Sequence, residues 1–321
     1  MGSISLMEIN NHSIMKNAVI VTAKGSNTTV QNKNVIPILG VPVVCYPIRA
    51  AKLSTLTDEV FVSTECSMIK SISQKEGTSI IDRPAELATP ESQHKDVIRH
   101  AVLEVEKLHP EVENFIVLLG NTVMVTPGLL DRAFTMLESG KCDSCASVWK
   151  AQDDHPFRAL KLSEDGFLQA FSEVKAGSNR QSYPTVYFYD QGVWGFKKHC
   201  ALEQKGPSPW IWLGERCQMI ERLWVTGRDI HTWIDVAASA WYLNSIQAND
   251  FQDYSDDLRP SRGACRGYCQ TMRAVSVPRG SADVLGQKSP MGNPSPCVAG
   301  DHRLFPRMQP NLSGDGMVGR V

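Results

Sequence analysis

No apolar run in the 321 residues reaches the length of a bilayer span. The longest candidate, Val35 to Ile48, is interrupted by Pro37, Pro42 and Pro47, which a continuous helix does not tolerate. An excess of one charge is missing as well. The 33 Lys and Arg nearly balance 34 Asp and Glu, for a net charge of −1. That balance gives no field for non-specific attraction to nucleic acid or to an anionic membrane, so neither partner is expected. The first residues, MGSISLMEINNHSIMK, lack a basic start followed by an apolar core, so they do not read as a secretory signal. A zinc-type cysteine framework is lacking too. Cys142 and Cys145 form a C-x-x-C, but no second pair or His pair lies at zinc spacing, which leaves a metal or redox role beside the plainer reading of a helix end followed by a strand. The cysteines number nine, an odd count, and Cys45, Cys145 and Cys200 sit inside apolar segments. That usage suits reduced thiols in a cytoplasmic protein better than a disulfide scaffold.

What is present is an ordinary globular composition, 42% apolar and 21% charged, long enough for one large domain or two small ones. The first half alternates short β-branched runs with helical stripes. Ala18–Ala23, Glu59–Thr64, Ser79–Asp82 and Phe115–Leu119 read as strands. Pro42–Leu53, with Pro42 in its first turn, Ser67–Glu76 and Asp96–Leu108 read as helices. The strand runs do not alternate with polar residues, as expected when both faces of a sheet are covered. Strand, crossover helix, strand, repeated, predicts an α/β fold with a mostly parallel sheet and helices on both faces. After Cys145 the elements shorten. Ser144–Trp149, Arg158–Leu162 and Phe167–Phe171, with a turn at Glu164-Asp165-Gly166, predict a small antiparallel lobe of about residues 144–191. Strands at Gly192–Phe196 and Arg222–Thr226 and a helix from Val236 to about Ile246 complete the pattern. Residues 255–321 hold nine Gly and seven Pro with no periodicity, which predicts a disordered tail; residues 1–17 read as an N-terminal extension.

Ligands of open α/β sheets bind beyond the carboxyl ends of the strands. Beyond the first strand stands Thr22-Ala23-Lys24-Gly25-Ser26-Asn27, and then Asn32-Lys33-Asn34. Small residues let backbone N–H groups approach an anion, and Lys24 and Lys33 neutralise phosphate charge; a plain turn is the competing reading. Beyond the third strand, Arg83 is placed for a phosphate, or for a surface ion pair with Glu86 or Glu91. Asp229 and Asp235 read as solvated residues flanking the last helix, with Asp235 as its N-cap. Asp153-Asp154-His155-Pro156 reads as a solvated turn or an acidic metal cluster.

Several of these segments carry a family resemblance. Lys33-Asn34 with Pro37 and Gly40, Val60–Thr64, the run Arg83-Pro84-Ala85-Glu86-Leu87-Ala88, and Asp96-Val97-Ile98 with His100-Ala101 resemble the N-acylneuraminate cytidylyltransferases, also called CMP-sialic acid synthetases. The similarity continues more weakly through His155-Pro156 and Asn179–Pro184 to about Asn249. It implies a Rossmann-like cytidylyltransferase domain over 18–254 with the lobe used for dimerisation, and therefore a homodimer. It also implies attack of a nonulosonic acid's anomeric hydroxyl on the α-phosphorus of CTP, with release of pyrophosphate and help from Mg²⁺. By the same resemblance, CTP would contact Ala23, Lys24, Gly25, Ser26, Lys33, Asn34, Arg83 and Thr122, and the sugar acid would contact Asn121, Arg180 and Gln181. Asp229 and His231 would serve the metal and, with Lys24, the chemistry. The chain departs from the pattern in four places. Ala23 stands where the family has Arg, and Asn27 where it has Lys. Gly120-Asn121-Thr122-Val123 replaces a Gln-Pro-Thr-Ser loop, and His231 replaces the second acid of an Asp-x-Asp. These departures leave open a transferase for another sugar, or a degenerate homologue that binds nucleotide without turnover. A glycosyltransferase would need a metal acid directly after the fourth strand, where Gly120-Asn121 stands.

Overall fold

The computed structural model describes residues 15–25, 30–174, 177 and 179–248. The expectations for the 1–14 part of the N-terminal extension, for Ser26 and Asn27, and for the 255–321 tail fall outside these residues. Among the described residues, eleven strands and six α-helices follow one another: β1 (Asn17–Thr22), β2 (Pro37–Ile38), β3 (Val41–Pro42), α1 (Cys45–Leu53), β4 (Glu59–Thr64), α2 (Ser67–Lys75), β5 (Ser79–Asp82), α3 (His94–Leu108), β6 (Asn114–Leu119), α4 (Pro127–Glu138), β7 (Ser144–Lys150), β8 (Leu160–Leu162), β9 (Leu168–Ala170), β10 (Tyr187–Lys197), α5 (Lys198–Glu203), β11 (Cys217–Glu221) and α6 (Trp233–Ala248). Seven strands form one sheet in the order β11-β7-β10-β6-β1-β4-β5. Only β10 runs against the rest: it is antiparallel to β6 and β7, whereas the pairs β1–β4, β1–β6, β4–β5 and β7–β11 are parallel.

The absence of alternation in β1 is explained by its position. All its residues are buried, and successive side chains enter opposite cores. Val19 and Val21 pack with Val43, Ile48 and Leu130 from α4's side of the sheet, while Ala18 and Ile20 pack with Ile98, Val102 and Val105 of α3. Each Val, Ile or Leu among them contributes about 1.5–3 kcal/mol of apolar burial. In α3 the buried positions Val97, Ile98, Ala101, Val102 and Val105 make one stripe at helical spacing. The helix α4 starts where its chemistry directs, with Pro127 in the first turn and the Thr126 hydroxyl accepting from Leu129 N at 3.4 Å. Cys142, between α4 and β7, and Cys145, the second residue of β7, are buried with their thiols on the carbonyls of Met136 and Ala133.

Three boundaries differ from the sequence reading. Pro42 belongs to the short pair β2–β3, and α1 begins at Cys45. The last parallel strand is Cys217–Glu221, not Arg222–Thr226, whose end is a 3₁₀ turn at Trp224–Thr226. Helix α6 begins at Trp233, so Asp235 lies inside its first turn rather than at the N-cap. The hairpin β8–β9 is antiparallel, as expected, and Gly166 takes the positive φ of 81° that its turn demands. It leaves the sheet after β7 and the chain returns at β10, whose Tyr187 pairs with Lys150.

Candidate active site

At the carboxyl ends of β1, β4 and β5 the chain gathers a tight polar rim. Ala23 N–H donates to Ser63 O at 3.1 Å, which turns the loop after β1 across the sheet. The buried Ala23 methyl lies against Gly120: a Cβ at position 120 would come within 2.7 Å of Ala23 Cβ and 3.2 Å of Asn34 Oδ1. Glycine is needed there for that close approach. Asn34 is buried and donates from Nδ2 to Lys24 O at 2.7 Å, so it braces the loop from below. The Lys24 ammonium donates to Thr89 O at 2.9 Å, and Gly25 N–H donates to Glu65 Oε1 at 2.6 Å. Arg83 forms no surface pair with Glu86 or Glu91. Its side chain is 4% exposed. It donates from Nη2 to Ser63 O at 2.7 Å and from Nε to Ser63 Oγ at 3.3 Å, and Nη1 lies 3.9 Å from Glu65 Oε2. Behind it, His94 stands 3.1 Å from Thr22 Oγ1, wedged between the rings of Trp194 and Trp212. Burial, and then the Arg83 charge, push His94 down to about 4, so this imidazole is neutral at ordinary pH.

A second group sits beside the first, where the loops after β6 and β11 meet. Ile230 N–H donates to Asn121 O at 3.0 Å, while Asn121 Nδ2 donates to Ile230 O at 3.0 Å and to Asp229 Oδ2 at 2.8 Å. His231 Nε2 lies 3.0 Å from the same Asp229 oxygen. Lys33 reaches across from the β1 loop and donates to Ile230 O at 3.1 Å. Burial alone pushes the Asp229 carboxyl up, but the hydrogen bonds and charges of His231, Asn121 and Lys33 outweigh it, and the net shift is downward. The same carboxylate raises His231, and burial lowers Lys33 against the pull of Asp229 and Asp235. Asp229 therefore favours its anionic form, with Lys33 and His231 beside it. Among the described residues no three His, Cys, Asp or Glu side chains gather as a metal-holding set.

Asp235 does something other than the sequence suggested. Its Oδ2 accepts from His231 N, Thr232 N and Thr232 Oγ1 at 2.7–3.0 Å, and its Oδ1 accepts from Arg228 Nε and Nη2. Asp235 thus reaches back to cap the first turn of α6, as the acid of a capping box does, and the bonded carboxyl is held at about 2 although burial pushes it up. That box fixes the backbone of His231, next to Asp229. Thr122 is fully buried, with its hydroxyl on Gln191 O at 3.3 Å; its side chain lies under the rim, not on the surface a nucleotide would meet. Under the same loops lies an ion pair the sequence reading missed. Arg222 donates to Asp190 Oδ2 at 3.0 Å and to the carbonyls of Met124 and Thr226, both at 2.7 Å. Asp190 also accepts from Ser147 Oγ and Gly192 N.

The proposed sugar contacts are spread more widely. Asn121 is in the Asp229 group. The Asn179–Pro184 segment forms a 3₁₀ turn in which Gln181 N–H donates to Asn179 Oδ1 at 3.0 Å; the Arg180 side chain is outside the described set. His155 accepts from Phe157 N at Nδ1 and meets Pro184 O through Nε2, with its ring against Phe157 and Tyr183. It therefore pins this segment to the lobe. Glu65 and His94 went unnoticed in the sequence, yet Glu65 directly follows β4, where the rule that pointed to Lys24 and Arg83 also points.

A mostly parallel sheet thus carries a cationic rim and a paired acid at its carboxyl edge. Residues 18–163 match the family model for cytidylyltransferases. The chain is 26% identical over 194 residues to the pseudaminic acid cytidylyltransferase and UDP-2,4-diacetamido-2,4,6-trideoxy-beta-L-altropyranose hydrolase of Helicobacter pylori, covering 60% of this chain and 37% of that protein. It is 23% identical over 193 residues to the N-acylneuraminate cytidylyltransferase of Streptococcus agalactiae, covering 60% of this chain and 46% of that protein. The matched region thus spans less than half the length of both relatives. A solved CMP:2-keto-3-deoxy-manno-octonic acid synthetase complexed with CTP superposes with a TM-score of 0.54 at 15% identity, over 74% of this chain and 100% of that one, a likeness of fold. No helix among the described residues is long and apolar enough to cross a membrane.

Proposed function

We propose that the protein transfers CMP from CTP to a sialic-acid-like nonulosonic acid and releases pyrophosphate. The observation that carries this reading is the meeting of Lys33, Asn121, Asp229 and His231 at the sheet's carboxyl edge, within a chain of cytidylyltransferase type. Lys24, Gly25 and Arg83 line the neighbouring rim and receive the triphosphate, with Lys33 and Asn34 ordering the loop between the two groups. His231, raised by Asp229, favours its charged form and so suits contact with a phosphate oxygen over proton acceptance. Asn121, Gln181 and Arg180 are assigned to the sugar acid.

Mg²⁺ fits this rim as an ion held by a single carboxylate. Asp229 Oδ1 accepts no hydrogen bond among the described residues, and Asp235 is fully used in its capping box. The remaining coordination falls to triphosphate oxygens and water, an arrangement Mg²⁺ commonly adopts. When bound, the ion supplies charge neutralisation at the phosphates. A second reading, binding without turnover, is favoured by Ala23, whose buried methyl presents no charge, and by Lys24, whose ammonium is turned to Thr89 O. Incubation with each nucleoside triphosphate, Mg²⁺ and a panel of sugar acids separates the two. Pyrophosphate release that needs both CTP and a nonulosonic acid is the expected result; CTP binding with no release across the panel selects the second reading.

The protein is assigned to the cytoplasm as a homodimer joined through the lobe. Supporting this, the hairpin leaves Leu162, Phe167, Leu168 and Phe171 each more than 60% exposed, an apolar surface of the kind that pairs. Light scattering of Phe167→Asp/Leu168→Asp is expected to give a monomer where the unsubstituted protein gives a dimer. A monomer in both removes the assignment.

A further inference from the structure

We infer that Glu65 is an internal anion that occupies the phosphate cradle of the ligand-free protein and swings aside when a triphosphate enters. The inference rests on the CTP reading of the rim and adds a competitor to it. Glu65 reaches from the end of β4 over the loop after β1. Its Oε1 takes the Gly25 N–H at 2.6 Å, and its Oε2 faces Arg83 Nη1 at 3.9 Å. The other two Arg83 nitrogens donate to Ser63, so Nη1 is the one left to meet a ligand, and Glu65 stands in front of it. A loop amide and a guanidinium nitrogen are the donors a phosphate oxygen uses, and a carboxylate engages them with the same charge and geometry. Two anions in one partly desolvated cradle repel, so Glu65 and a phosphate exclude one another.

Glu65 is also poorly held. Its Oε2 is buried without a hydrogen-bond donor, while its side chain as a whole keeps 24% exposure. Rotation toward water would satisfy that oxygen and uncover Arg83, whose own side chain is otherwise closed off. An arginine this buried is reached only through such a displacement. In the resting protein the pair keeps the guanidinium charge balanced and the Gly25 loop shaped; in the loaded protein the ligand's phosphate takes over both tasks.

The test uses full-length protein and two probes, inorganic tripolyphosphate and CTP, with affinities measured by calorimetry at low salt. Glu65→Gln keeps the length and the oxygen that accepts from Gly25 while losing the charge; Glu65→Ala empties the cradle. Both are expected to bind tripolyphosphate about five- to tenfold more tightly than the unsubstituted protein, with the gain shrinking as salt rises. Unchanged or weakened tripolyphosphate affinity in both variants, at unchanged melting temperature, overturns the inference and makes Glu65 a builder of the loop. So does failure of all three proteins to bind the anion. Tighter tripolyphosphate with no CTP binding in any protein supports the competitor and removes the CTP reading, which keeps the two failures apart. If Glu65→Gln melts early, Glu65→Ala carries the comparison.

Discussion

Replacing Asp229 by asparagine is expected to lower CTP-dependent pyrophosphate release by at least about 10²–10³-fold, the usual loss when a preorganised charge is removed from a transferring phosphate's surroundings. Asparagine preserves shape, and its carbonyl oxygen still accepts from Asn121 and His231. What disappears is the negative charge that would engage a metal and that sets the charge state of His231. The fold should survive. His231 is 62% exposed and keeps water when its partner is lost, and Lys33 retains Asp235 nearby. Asp229→Ala should abolish turnover outright, again with a melting temperature close to that of the unsubstituted protein. Activity retained in both variants would take Asp229 out of the metal site and the reaction.

The largest effect on stability is expected from Asp190→Ala. Asp190 and Arg222 are both almost completely buried, and removing the acid leaves a guanidinium in the interior with one charge partner fewer. Breaking such a pair from one side costs about 3–5 kcal/mol. The loss should not stay local. Asp190 holds the irregular register of β10, where Gln191 takes a φ of 62° and Gly192 leaves room for Arg222 Nη1, which a Cβ would approach to 2.1 Å. Arg222 in turn ties the segments carrying Met124 and Thr226, which follow Asn121 and precede Asp229. Denaturant unfolding of Asp190→Ala should therefore show the full loss, and the folded fraction should transfer CMP slowly. An unfolding free energy within about 1 kcal/mol of the unsubstituted protein would refute this account of the pair.

The parallel half of the fold was legible because burial on both faces writes itself as unbroken β-branched runs. Val19–Val21, Phe61–Val62 and Ile116–Leu118 announced themselves, and α3 did so through its stripe. Strand β11 was missed because it is an edge: Gln218, Met219 and Glu221 are exposed, so Cys217–Glu221 has no apolar signature, while the more apolar stretch after it forms a turn. Asp235 was seen but placed one turn too early in the helix; the Thr232-x-x-Asp235 spacing of a capping box was there to correct it. In the site, Lys24, Lys33 and Arg83 were found by where they follow strands, and Asp229 by its resemblance to the family's Asp-x-Asp. Their partners were not, because the bonds from Lys33 to Ile230 and from Asn121 to Asp229 join residues far apart in the chain. Asp190–Arg222 gave no signal, since Asp190 sits among Tyr, Gln and Gly residues that read as a turn.

The excursion that bears the β8–β9 hairpin departs at Lys150 and returns at Tyr187, and those two residues are rungs of the same ladder. The sheet therefore does not register how much chain is hung between them. Such an appendage can lengthen, shrink or be exchanged over evolutionary time while the carboxyl edge of the sheet keeps its geometry, so the surface it presents is free to follow the demands of whatever it meets.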